Sequence, residues 1–106
     1  MEFNALGKPT RAPSRELESF PCPEGVKTVR MTSEELTTLC PITGQPDFNT
    51  IRVEYNPDKL CLESKSFKLY LWSFRSEAAF CEALSAQIAH DIFNALQPFR
   101  VHVRLT

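Results

Sequence analysis

The spacing of apolar residues changes period twice along the C-terminal part of this chain, and that change limits its fold more than any other feature. From Phe48 to Tyr55 the residues alternate: Phe48, Ile51, Val53 and Tyr55 fall among Asn49, Arg52 and Glu54, with the β-branched enrichment of a half-buried strand. Asn56-Pro57-Asp58-Lys59 then predicts a turn, and Leu60 to Glu63 the returning strand of a hairpin. Beyond it, Leu69, Tyr70, Trp72 and Phe74, and later Phe80, Leu84, Ile88, Ile92, Phe93 and Leu96, recur at steps of three and four. That is the mark of two helices, each with one buried face. Pro98 closes the second helix, and Arg100 to Leu105 alternates again as a final strand.

Upstream the pattern is weaker. Pro21, Pro23 and Gly25 interrupt it until Val26 to Met31 alternates as an edge or hairpin strand, and Ser33-Glu34-Glu35 predicts a helical turn. Residues 1 to 16, with Gly7, Pro9 and Pro13, have no period and read as a flexible arm ahead of a single domain over 17–106. The element order predicts an α+β fold, an antiparallel four-stranded sheet with two helices on one face. The other face is left wet or paired with another subunit. A chain of 106 residues is near the small end of independently stable domains, and association would help it.

Charge and cysteine usage exclude several function classes. Twelve basic against thirteen acidic side chains give no broad positive surface for nucleic acid. No apolar run reaches the roughly 18 to 20 residues that cross a bilayer, so a cytoplasmic protein is expected. The four cysteines, at positions 22, 40, 61 and 81, form no C-x-x-C pair, so neither a zinc site nor a disulfide scaffold is expected. Only Gly7, Gly25 and Gly44 are available, which rules out a G-x-G-x-x-G loop; a dinucleotide would have to bind outside a Rossmann unit.

Three segments carry chemistry. Cys40-Pro41-Ile42-Thr43-Gly44-Gln45-Pro46-Asp47 sets a thiol and a carboxylic acid at the two ends of a stiffened turn. A thiolate attacks an electrophilic carbon while an acid protonates the heteroatom that gains charge. The pair works best if Asp47 is partly desolvated and holds its proton, since an ionised carboxylate would oppose the thiolate. The plain alternative is a buried small Cys40 and a turn-capping Asp47. In Glu63-Ser64-Lys65-Ser66-Phe67-Lys68, Lys65 and Lys68 share one side of a first helical turn, with Ser64 and Ser66 as hydroxyl donors. This is either a phosphate cradle or a solvated lysine face with Glu63 as salt partner. Glu82, between Cys81 and Ala83 at a helix start, either accepts two hydrogen bonds from a purine-like edge or favours the helix dipole.

Cys40-Pro41-x-Thr43-Gly44-Gln45-Pro46-Asp47-Phe48, the Glu63 to Tyr70 segment and Ser73-Phe74-Arg75 together closely resemble the 7-cyano-7-deazaguanine reductases of queuosine biosynthesis, in their short single-module form. The resemblance covers about Thr38 to the C-terminus. It implies the tunnelling fold, in which small subunits join their sheets into a barrel with active sites at subunit interfaces, and hence a homo-oligomer. It also implies that Cys40 attacks the nitrile carbon of 7-cyano-7-deazaguanine to form a thioimide, that Asp47 is the proton donor, and that NADPH supplies two hydrides to give the primary amine. On the same resemblance Lys65 and Lys68, with Ser66 in their motif, contact cofactor phosphates. Glu82 and Phe80 grip the deazaguanine, with Glu63, Ser64 and Cys81 beside it. Cys81 stands where that family usually has histidine.

Overall fold

The computed structural model describes residues 12–106. Seven elements follow in order: β1 (Ser19–Pro21), β2 (Val29–Leu39), β3 (Pro46–Asn56), β4 (Leu60–Leu62), α1 (Ser64–Trp72), α2 (Cys81–Leu96) and β5 (Arg100–Leu105). The main sheet has three antiparallel strands in the order β2-β3-β5, and β1 and β4 form a separate two-stranded ribbon.

The α+β class and the two helices agree with the sequence; the four-stranded sheet does not. β3 is central, with β2 on one edge and β5 on the other, so no edge is left for the return strand expected at Leu60 to Glu63. The chain instead leaves the sheet at the buried Pro57. β4 then pairs with β1 across Phe20 and Cys61, and the ribbon is pinned to β3 where the Leu62 N–H donates to the Tyr55 hydroxyl at 2.9 Å. Burial pushes that Tyr55 phenol up to about 12, consistent with its place inside the core.

Ser33 to Glu35 is not helical either. It lies within β2, where the register slips between Ser33 and Leu36, so the extra residue is taken up as a β-bulge. The bulge keeps the buried face in phase: Leu36 is fully buried, as is its near neighbour Ile51 on β3. The phase of β3 also differs from expectation at one end. Asn49, Ile51, Val53 and Tyr55 are buried, whereas Phe48 is 80% exposed.

Both helices cover the face made by those odd-numbered β3 residues. Phe67, Tyr70 and Leu71 of α1, Phe74 just after it, and Leu84, Ile88, Ile92 and Leu96 of α2 complete one core cluster with Leu36, Ile51, Val53 and Tyr55. The four-residue step from Leu84 to Leu96 draws a single stripe down α2; Phe93 lies off it and is exposed. Gln97 ends the helix in the left-handed region, its N–H closing on the Phe93 carbonyl at 2.8 Å.

Most of the arm expected over 1–16 lies outside the described residues. Its described end is attached to α1: the Ser14 N–H donates to the Leu69 carbonyl, and Arg15 lies 3.8 Å over the Phe74 ring and pairs with Glu77. Among the described residues no helix is long and apolar enough to cross a membrane.

Candidate active site

The Cys40 segment is the tight connection between β2 and β3. The Gly44 N–H donates to the Cys40 carbonyl and the Cys40 N–H to the Gln45 carbonyl, both at 2.8 Å. Gly44 has φ 73°, a conformation side chains strain to adopt, which is why a glycine sits here. The turn aims its donors at sulfur. The Thr43 hydroxyl, then the backbone N–H groups of Thr43 and Ile42, hold the Cys40 thiol below the usual cysteine range, against partial burial and the charge of Asp47, which push it up. The thiol is half-buried, and its donors favour the thiolate. Asp47 is exposed in the single chain, without the partial burial the sequence reading expects for it.

Two connections tie this turn to the start of α2. Leu39 makes an isolated parallel bridge with Ala78: the Leu39 N–H donates to the Glu77 carbonyl at 2.9 Å, and the Ala79 N–H to the Leu39 carbonyl at 3.3 Å. The residues that follow on the two segments are Cys40 on one and Phe80-Cys81-Glu82 on the other. The second connection is Asn49, buried on the same face of the hairpin as Thr38 and Asp47. Its amide nitrogen lies 3.4 Å from the Asp47 carbonyl and its oxygen 3.7 Å from the Cys81 sulfur. Phe80, Cys81 and Glu82 are all exposed and begin two residues beyond the bridged Ala78.

The other face of the hairpin carries Thr37, Leu39, Pro46 and Phe48, by the register that pairs Thr37 with Phe48 and Leu39 with Pro46. With Lys65, Lys68, Trp72 and Arg75 they line a groove of about 660 Å³. Three cations beside two large aromatic rings suit a ligand that bears phosphates and a flat ring. The sequence marks Trp72 only as part of an apolar helical face and Arg75 only as part of the Ser73-Phe74-Arg75 motif, with no site role for either; the groove brings both beside the lysines. Lys68 is held at 2.8 Å by Glu35, an exposed pair that an incoming anion can compete for.

The remaining expected site residues occupy different positions. Glu63 is 5% exposed and caps α1, its two carboxylate oxygens accepting from the Lys65 and Ser66 N–H groups at 2.7 Å each. Ser66 is buried, its hydroxyl donating to the Glu63 carbonyl at 2.9 Å and accepting from the Glu18 N–H at 3.0 Å. Ser64 is exposed and shares a neighbouring groove with Glu34, Glu35, Lys65 and Lys68.

A profile of the family described as QueF-like protein matches residues 46–105. This chain belongs to that family. Among other QueF-like proteins, the NADPH-dependent 7-cyano-7-deazaguanine reductase of Nitrosococcus oceani is 51% identical over 88 residues, covering 81% of this chain and 68% of that protein. The enzyme of the same name from Halorhodospira halophila is 52% identical over 81% of this chain and 75% of its own length. Among solved structures of QueF-like proteins, the apo form of the archaeosine synthase QueF-Like superposes with a TM-score of 0.73 at 26% identity, covering 77% of this chain and 81% of that one.

Proposed function

We propose that this QueF-like chain reduces the nitrile of 7-cyano-7-deazaguanine to the primary amine, using NADPH, in queuosine biosynthesis. The observation that carries the reading is the Cys40 thiol, held low by the Thr43 and Ile42 donors and linked through Leu39 and Ala78 to the exposed Phe80-Cys81-Glu82 segment. The names of relatives about half identical to this chain point the same way.

In this mechanism Phe80 and Glu82 hold the deazaguanine, Glu82 accepting from the ring N–H and the amino group, with Cys81 filling the place beside them. The Cys40 sulfur adds to the nitrile carbon. The C≡N π pair moves to nitrogen, and Asp47 delivers the proton that makes it a neutral thioimide. Substrate seated over the turn would cover the exposed Asp47 side chain. Two NADPH molecules, bound in turn, would each supply one hydride: the first goes to the thioimide carbon, whose bond to the Cys40 sulfur then breaks to return the thiolate, and the second, with a proton, takes the resulting imine to the amine. Lys65, Lys68 and Arg75 would hold the phosphates beside Trp72 and Phe48. Glu63 supports that groove by capping the helix, and Ser64 lies at its edge.

The chain works as a homo-oligomer in the cytoplasm. β2 and β5 leave the main sheet with two open edges, and Ile42, Phe48 and Phe99 are each at least 76% exposed. Joining sheets edge to edge into a barrel would cover both features. Four free cysteines among the described residues suit a reducing compartment.

A second reading keeps the thioimide but passes it to an amine instead of a hydride; the fold shared with an archaeosine synthase motivates it. One experiment separates the two. Protein mixed with 7-cyano-7-deazaguanine should gain one ligand mass, Cys40→Ala should gain none, and added NADPH should be oxidised as the adduct disappears. An adduct that forms without any NADPH oxidation supports the second reading, and absence of the adduct defeats both.

A further inference from the structure

The sheet face that the helices leave open is rich in arginine, and its charges are unevenly matched. Arg30 and Arg100 both reach Glu54, at 2.7 and 2.9 Å. One row further along, Arg52 of β3 stands directly opposite Arg104 of β5. Both are exposed, and among the described residues neither has an acidic partner. Like charges facing each other across a strand pair destabilise a sheet unless something neutralises them. Thr32 completes the row on β2 and His102 flanks it on β5, and with Arg30, Arg52, Glu54 and Arg104 they line a cleft of about 220 Å³. This cleft shares no lining residue with the groove of Trp72 and Arg75, and meets the neighbouring groove of Ser64 only at Met31 and Thr32.

We propose that Arg52 and Arg104 form a second anion site, one that takes a small phosphate-bearing ligand on the open face of the sheet. Two guanidinium groups on adjacent strands present forks that can each bond a phosphate oxygen pair, and the Thr32 hydroxyl adds a neutral donor from the third strand. Glu54 is already engaged by two arginines and does not compete for the anion. The site is independent of the nitrile reaction. It acts on the sheet itself, cancelling the one like-charge row the fold contains on that face.

The ligand chemistry is shared by free phosphates and by the phosphates of a dinucleotide, so the test uses inorganic pyrophosphate and compares two double variants of the full chain. Pyrophosphate should raise the melting temperature of the wild type and bind in a calorimetric titration. Arg52→Gln with Arg104→Gln should weaken that binding about tenfold or more, the loss expected for one or two charge-assisted bonds. It should also melt higher than wild type in anion-free buffer, because the repulsion is gone. Lys65→Gln with Lys68→Gln should lose only the pyrophosphate held in the cofactor groove and keep the binding event that the arginine double variant loses. If pyrophosphate does not bind, binds the arginine double variant equally well, or is lost only in the lysine double variant, the proposal is overturned. A change in oligomer size in the arginine variant without any anion effect overturns it too, and assigns the row to contact with a second copy.

Discussion

Replacing Glu63 by alanine tests whether this residue serves the helix or the ligand, since the sequence resemblance and the fold give it different work. In the folded chain both carboxylate oxygens are engaged by the first N–H groups of α1, at 2.7 Å each, and the side chain is 5% exposed. An N-cap is worth about 0.5–2 kcal/mol, and a charged acceptor with two short bonds belongs at the upper end, so the expected loss is about 2 kcal/mol. For a domain of this size each kcal/mol moves the midpoint by about 4–8 °C, which predicts a fall of about 10 °C. Circular dichroism melts and urea titrations measure it directly. Glu63→Gln keeps one acceptor oxygen and should lose about half as much. Because Lys65 and Lys68 lie on the turn that frays, NADPH affinity should fall alongside stability in both variants. If Glu63→Ala melts where the wild type does while losing affinity for the deazaguanine, the capping argument is refuted and the carboxylate belongs to the substrate.

Thr43→Val removes the largest influence holding the Cys40 thiol low. The sign is upward: alkylation of Cys40 by iodoacetamide should need higher pH than in wild type, and an unshifted pH profile would dismiss the turn as the activator. Ile88→Ala empties a fully buried position on α2 and should cost about 2–5 kcal/mol in urea unfolding, with the adduct still forming in the folded fraction. A loss well under 1 kcal/mol would mean that α2 does not complete the core.

Where the sequence was legible, the signal was local. The Leu84 to Leu96 stripe, the Ile51 to Tyr55 alternation and the Pro41/Gly44 turn each contain their own pattern, and the fold keeps all three. What was lost depended on partners distant in sequence. β1 is three residues long and contains Pro21, so nothing marked it as the strand that claims Leu60 to Leu62. The adjacent glutamates at 34 and 35 suggested a helix start, although the sheet needed an extra residue there. Within the candidate site, residue types and spacing mark Cys40 and Asp47, and the fold puts them at the two ends of the β2–β3 connection. Asn49 could not: a polar residue in an alternating run reads as outward-facing, yet it is buried where the hairpin meets α2.

The bridge between Leu39 and Ala78 also has a mechanical consequence. It fastens the loop bearing the sulfur to the strand-like lead into α2, so a displacement of one is expected to carry the other. Slack introduced between Glu77 and Phe80 should be felt at Cys40 even though that residue is far away along the chain. Extra residues inserted at the outer turn near Asp58 would leave the anchor undisturbed.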